Sequence, residues 1–214
     1  MTTLPRPRPS PVVIEGRYAR LEPLSLAHAQ GLYRASSEAD RFAFLPDAPP
    51  ASIAEVRAWI ERYLDNEEYV FSAVVDRATG EAAGRQALMR IVPEHGVIEI
   101  GNILWGPAIA RTRVATEAFF LAARHVFDEL GYRRFEWKCN DRNEPSKAAA
   151  LRFGFTFEGV FRQHMVVKGK SRDSAWFSII DREWPTIRGG FERWLDPSNF
   201  DSAGRQKARL VTGE

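Results

Sequence analysis

The segment from Tyr69 to Cys139 leaves this chain few folds to choose from. Three apolar stretches, Tyr69–Asp76, Glu81–Arg90 and Val97–Trp105, are separated only by Arg77-Ala-Thr-Gly80 and by a turn at Pro93-Glu-His-Gly96. Connections that short join antiparallel neighbours, so the spacing predicts a meander. A helix is then expected from about Val114 to Leu130, closed by Gly131 in the left-handed position. Ala115, Ala118, Phe119, Ala122 and Val126 form its buried stripe, and Glu117, Arg124 and Asp128 are expected to face water. A strand at Arg134–Cys139 follows, which makes the helix a βαβ crossover.

The flanks extend this pattern. Residues 1–13 are proline-rich and read as a loose, extended leader. A strand at 16–23 ends at Pro23, and Ser25 can cap a helix from Leu26 to Ala35. Ser52-Ile-Ala-Glu55 is a capping box, behind which Ile53, Val56, Ile60 and Leu64 share one helical face. After the crossover come a short helix at 147–153 stopped by Gly154, and two strands, Phe155–Val167 and Arg172–Ile180, around Lys168-Gly169-Lys170. Residues 181–196 suggest a last helix presenting Trp184, Ile187, Phe191, Trp194 and Leu195, with a polar tail beyond Pro197. The order β, α, α, β, β, β, α, β, α, β, β is an α/β (α+β) arrangement with a mostly antiparallel sheet. It divides into a leader (1–13), a main domain (14–185) and a C-terminal helix with its tail (186–214).

Composition removes several function classes. Thirty Lys and Arg against 28 Asp and Glu give +2, too little for a large phosphate footprint on nucleic acid. The small basic clusters at Arg133-Arg134 and Lys168 to Arg172 do not change that. The one cysteine, Cys139, excludes an internal disulfide and a cysteine-built zinc cluster, and fits a reducing cytoplasm. No apolar run reaches the length of a membrane span, and Leu4 to Pro11 has no apolar core of a signal peptide. The four histidines, His28, His95, His125 and His164, are scattered and suggest no metal site or triad.

The densest motif runs from Asn140 to Gly159: Asn143-x-x-Ser146, a small-residue helix, Leu151-Arg-Phe-Gly154-Phe155, and Glu158-Gly159. With the hairpin string from Gly159 to Asp173, it resembles the GNAT N-acetyltransferase superfamily, in its RimJ/RimL-type branch of ribosomal-protein N-acetyltransferases. The resemblance covers about residues 14–185 and is thin before residue 70. It implies a sheet splayed between the fourth and fifth strands, and acetyl-CoA as cosubstrate with an amine as acceptor. That acceptor is a protein N-terminus or a small amine such as a polyamine, amino acid or antibiotic. A protein acceptor requires a wide cleft, a small amine a closed aromatic pocket.

The same resemblance assigns residues. The CoA pyrophosphate would sit at the start of the long helix, on Arg111, Thr112, Arg113, Val114, Ala115 and Thr116. Relatives carry glycines there; this chain has Arg113 at the first glycine position and keeps only the small Ala115, so the two arginines would supply cations instead. Backbone at Ile103, Leu104 and Trp105 would pair with pantetheine and donate to the thioester carbonyl. Asn143 would hold the pantetheine amides. Ala150 takes the place of the tyrosine acid found in many relatives, which leaves Ser146 as the candidate acid; a serine there is equally a helix N-cap.

A base must remove the ammonium proton, and Glu99 or Glu136 is placed for it. Strand alternation puts Glu99, Gly101 and Ile103 on one face, so Glu99 is the candidate facing the acceptor. No metal is called for. Arg41, Phe42, Phe44 and Asp47 are read as a lid, His164 as a lining residue, and Asp173 as fixing its turn or pairing with Arg172. The competing class is a CoA-binding sensor without turnover, for which the missing glycines and tyrosine speak. A homodimer is compatible with the aromatic C-terminal segment.

Overall fold

The computed structural model describes residues 3–213. One eight-stranded sheet runs in the order β1-β2-β3-β4-β5-β6-β8-β7. The strands are β1 (Ile14–Glu15), β2 (Ala19–Pro23), β3 (Tyr69–Asp76), β4 (Glu81–Val92), β5 (Val97–Trp105), β6 (Arg134–Asn140), β7 (Thr156–Val167) and β8 (Lys170–Ile180). Helices α1 (Ala29–Ala35) and α2 (Ile53–Leu64) cover one face; α3 (Arg113–Arg124) and α5 (Trp184–Leu195) cover the other. The short α4 (Glu144–Arg152) follows β6. Because a two-residue β1 precedes them, the fourth and fifth strands of the sequence reading are β5 and β6.

The meander β2-β3-β4-β5 is antiparallel throughout, as the short turns require. β5 and β6 are parallel, joined across α3 by the crossover, and they pair only from Val97↔Arg134 to Ile100↔Trp137. Beyond that point the strands part. β6 goes on pairing with β8 as far as Asn140, and β5 stays on β4 as far as Trp105. β7 is the outer strand, and it is irregular in two places, between Phe157 and Gly159 and between Phe161 and Met165. Gln163 has φ 49° in the second, and the Asp173 carboxylate accepts its N–H at 2.7 Å. Asp173 therefore holds the strand irregularity and does not pair with Arg172.

A bulge in β5 changes which residues share a face. Ala87 lies opposite Gly101 and Arg85 opposite Leu104, so Gln86 faces two residues, Asn102 and Ile103. Asn102 takes the extra position with φ 50°. Alternation restarts one residue late. Glu99, Gly101 and Leu104 share the α1/α2 face, whereas Ile103 and Trp105 pack on the α3 core. Simple alternation had placed Ile103 beside Glu99; the inserted residue turns it away.

Several local expectations are corrected. α4 begins at Glu144, not 147, because the Asn143 side chain caps it by accepting the Ser146 N–H at 3.2 Å. Ser146 is inside the first turn and is not the cap. The helix from Leu26 starts as a 3-10 turn, Leu26–His28, before α1. The crossover helix finishes in a π-helical turn at His125–Glu129, where the Leu130 N–H reaches the His125 carbonyl at 3.0 Å. Leu64 is exposed although its stripe-mates Val56 and Ile60 are buried.

The leader and tail are both anchored. Arg6 N–H donates to the Pro93 carbonyl and the Tyr132 hydroxyl to the Pro7 carbonyl, while residues 1 and 2 lie outside the described residues. Beyond Pro197 the chain doubles back so closely that a Cβ on Gly190 would fall 2.1 Å from the Val211 carbonyl. Phe200 stacks edge-on to Trp194 and Tyr18. The aromatic face of α5 is therefore buried on its own chain.

Glu117 is the largest departure from the pattern reading. It is only 5% exposed, and its carboxylate accepts the N–H groups of Arg17, Tyr18 and Ala19 as the chain enters β2. Three backbone donors satisfied by one charge tie α3 to the first long strand. Glu117→Ala leaves the buried Ala19 N–H, and the less buried N–H groups of Arg17 and Tyr18, without that acceptor. It is expected to lower unfolding free energy by about 2–3 kcal/mol in urea denaturation, whereas a water-facing glutamate would change it by under ~0.5 kcal/mol.

Candidate active site

Two surfaces meet where β5 and β6 part. On the α3 side, the helix start offers free backbone donors. Thr112 caps α3, its hydroxyl accepting from Val114 N–H and donating to the Ile109 carbonyl. The N–H groups of Arg113 and Ala115 find no acceptor among the described residues, so they point out of the first turn with the positive end of the helix dipole. Arg111, Arg113 and Arg152 surround this turn, and none has an acidic partner among the described residues. The Arg113 guanidinium lies over the Tyr18 ring, 4.4 Å from its centre, and Arg152 donates to the Thr116 hydroxyl at 3.1 Å. Thr116 is buried, and its hydroxyl also bonds the Thr112 carbonyl, so its side chain supports the turn from behind.

Ser146 belongs to this same side. Its Oγ accepts the indole N–H of Trp137 at 3.0 Å, and Trp137 is part of the α3 core. That bond uses a lone pair and leaves the hydroxyl proton available to donate. Asn143 employs Oδ1 as the helix cap, while its amide N–H2 group makes no bond among the described residues. Between them, the β5 edge from Gly101 to Trp105 facing β6 has no strand partner. Cys139 is a free, buried thiol whose pKa burial pushes up, which makes it a poor nucleophile.

The α1/α2 side carries the charged groups. Glu99 is 2% exposed; Arg90 donates to it at 3.0 Å and the Lys138 ammonium is 3.7 Å away. Burial pushes its carboxyl up to about 7, against the lowering effect of Arg90. Glu136, the other candidate base, accepts the Arg134 Nε–H at 2.6 Å in an ion pair. His164 Nδ1 lies 2.9 Å from the Ser174 hydroxyl, and burial together with Arg90 and Arg172 lowers its pKa. Glu99 and Ser146 thus reach the opening from opposite faces of the sheet.

Further along β5 on this face is a cavity of about 330 Å³. Leu104 and Arg85 line its floor, Trp59 and Val56 of α2 one wall, and Phe42 and Asp47 of the 36–50 segment another. Arg85 is 3% exposed; it donates to the Asn102 carbonyl at the bulge, lies 3.5 Å from Asp47 and stacks 4.0 Å from the Trp59 ring centre. Burial pulls its pKa down to about 10, against Asp47. Phe42 is buried, Arg41 donates to the Trp105 carbonyl, and Lys168 from the β7–β8 turn donates to the Phe42 carbonyl at 2.8 Å. These bonds hold the segment around Phe42 against the end of β5 and the β7–β8 turn. Sequence reasoning missed Arg85; a lone arginine within the stretch 82–89 was the available signal.

Comparisons with known proteins converge on one family. Residues 19–156 match an acetyltransferase (GNAT) domain. The chain is similar to a GCN5-related N-acetyltransferase from Brucella melitensis, with 54% identity, TM-score 0.95, and coverage of 97% of this chain and 96% of that one. It is similar to a GNAT-family protein from Chromobacterium violaceum, with 38% identity, TM-score 0.78, and coverage of 84% and 91%. Among curated proteins, N-acetyltransferase p20 of Bacillus licheniformis is 27% identical over 77% of this chain and 93% of its own length.

The raised Glu99 carboxyl has a thermodynamic signature. The folded state holds that proton more tightly than the unfolded chain, so the group's contribution to stability is full below about 4.5 and declines as pH rises to about 7. The melting temperature of the wild type relative to Glu99→Gln is expected to fall across that window and level off above it. A difference that stays flat would mean an ordinary carboxyl.

Proposed function

We propose that this chain, which belongs to the GNAT acetyltransferase family, moves an acetyl group from acetyl-CoA to the amine of a small molecule by direct attack in a ternary complex. The observation that carries this reading is the parting of β5 and β6, with free helix-start donors on one side and a walled aromatic cavity on the other. A cavity of about 330 Å³ walled by α2 and the 36–50 segment suits a small amine better than a protein N-terminus.

The residues present fit acetyl-CoA. The Arg113 and Ala115 N–H groups, with the Arg111, Arg113 and Arg152 cations around them, suit a pyrophosphate even without glycines. The Asn143 amide and the free edge of β5 suit the amides of the pantetheine arm. Acetyl-CoA supplies the activated acyl group as a thioester. Backbone N–H groups from Ile103 to Trp105 then face the oxygen on which charge develops. Glu99, with a pKa of about 7, takes the ammonium proton from the acceptor side. Ser146, held by Trp137, gives its hydroxyl proton to the departing sulfur from the other side and is reprotonated by the second proton that the nitrogen loses as the amide forms. No group here forms a covalent intermediate, and buried Cys139 takes no part. The RimJ/RimL-type branch is retained on the motif Asn143-x-x-Ser146, and a cytoplasmic location on the reduced Cys139. No described helix is long and apolar enough to cross a membrane.

A thermal melt with acetyl-CoA tests the cofactor half. At a hundredfold excess over the dissociation constant, stability is expected to rise by about 2.7 kcal/mol, with dephospho-CoA run as the comparison. No shift at millimolar ligand would sink the reading. Turnover tests the rest. Ser146→Ala should lower kcat at least ~10-fold with acetyl-CoA affinity retained, and kcat/KM should climb with pH through about 7 and lose that limb in Glu99→Gln. An unchanged kcat in Ser146→Ala would remove Ser146 from the mechanism.

A further inference from the structure

We infer that the acceptor amine carries a carboxylate, bound beside the opening of β5 and β6 by Arg172, Lys138 and the indole N–H of Trp176. The inference rests on the acetyl-transfer reading above and narrows its substrate class to amino-acid-like amines.

β8 places Arg172 and Trp176 four residues apart on one side of the strand, and Trp176 lies opposite Lys138 across β6. Lys138 is the first β6 residue past the last pair with β5, so this group stands at the root of the opening on the Glu99 side. The Lys138 ammonium is 4.9 Å from the centre of the Trp176 ring and its side chain is 4% exposed. Phe161 and His164 close over the same indole, with ring centres 4.9 and 5.8 Å away.

Two donors in this group have nothing to donate to. The Arg172 Nε and the Trp176 Nε1 are both buried without a hydrogen-bond partner among the described residues. Burying such groups unsatisfied is costly, and an arginine guanidinium is rarely left so. The protein does not provide the missing acceptor. Glu99 is the one carboxylate facing Arg90, Lys138 and Arg172, and it is bonded to Arg90. Glu136 is occupied by Arg134, and Asp173 turns to the Gln163 N–H. The other neighbours, His164, Ser174 and Cys139, add no fixed negative charge.

Three cations around one carboxylate repel a polyamine or any acceptor rich in ammonium groups. They attract an anion, and a planar carboxylate suits a guanidinium edge with an N–H beside it. An α-amino acid carries its carboxylate close enough to the amine to sit here while the amine meets Glu99, with its side chain free to run towards the cavity at Leu104 and Arg85.

Pairs of amines differing only in the carboxylate test this. The CoA-saturated protein is titrated calorimetrically with L-phenylalanine against 2-phenylethylamine, L-leucine against 3-methylbutylamine, and L-methionine against 3-methylthiopropylamine, with spermidine as a polycation. At least one amino acid is expected to bind about tenfold tighter than its partner amine, a difference of ~1.4 kcal/mol. R172Q, and independently W176F, should reduce that ratio to about threefold or less. The acetyl-CoA melting shift of each variant reports that it is folded. The inference is overturned by equal binding in every pair, by binding of neither member in all pairs, by tighter binding of spermidine, or by a ratio that both variants leave intact. If the wild type shows no acetyl-CoA shift, the acetyl-transfer reading fails with it; a normal shift with no preference among the pairs overturns this inference alone.

Discussion

Everything distinctive about this molecule follows from four residue pairs. β5 and β6 are hydrogen-bonded from Val97↔Arg134 to Ile100↔Trp137 and then separate. A parallel pair would ordinarily continue, since each unmade ladder bond leaves backbone groups to be satisfied elsewhere. Here each strand has an outer partner that keeps it in the sheet, β4 for β5 and β8 for β6. The opening is therefore held from both sides. It is a gap built between two halves of a sheet, and α3 spans both halves from beneath with its core of Phe119, Phe120 and Leu121.

The bulge at Asn102 refines this gap. By inserting one residue it sends Leu104 to the cavity face and Ile103 to the core, and its carbonyl receives the buried Arg85 guanidinium. A cation held under Trp59 thus fixes the backbone irregularity beside which the acyl group would be placed. Glu99 lies before the bulge and keeps the face it would have had in a regular strand. The extra residue thus decides which of Ile103 and Leu104 meets the cavity and leaves the side of Glu99 unchanged. The acid candidate Ser146 is anchored through Trp137 to the α3 core, and the base candidate Glu99 belongs to the opposite layer.

The meander, the crossover and the aromatic face of α5 were legible because each is a repeated pattern: alternation, 3.6-residue periodicity, and turns with glycine. The Asn143-x-x-Ser146 motif also identified its place at the end of β6. What escaped were features that depend on one side chain meeting a distant backbone. Glu117 reads as the polar face of an amphipathic helix, and nothing local says that three amides near Tyr18 converge on it. The start of α4 was set three residues late because the capping asparagine was read only as a ligand group. The bulge could not be seen either, since Asn102 and Ile103 fit a regular strand as well as an irregular one. Arg172 looked like a hairpin charge until its surroundings on β6 were known.

The outer strand β7 has a consequence for the protein in a crowded solution. It ends the sheet with a long backbone edge and with exposed Phe157, Val160, Phe161 and Val166, the usual ingredients of uncontrolled strand addition between molecules. The breaks at Gly159 and Gln163 cut that edge into short pieces whose free N–H and C=O groups no longer lie in line. The hydrogen bond from Gln163 N–H to Asp173 makes the second break permanent. A side chain that looks like a minor turn contact in one molecule therefore serves as a guard against fibre-like association of many.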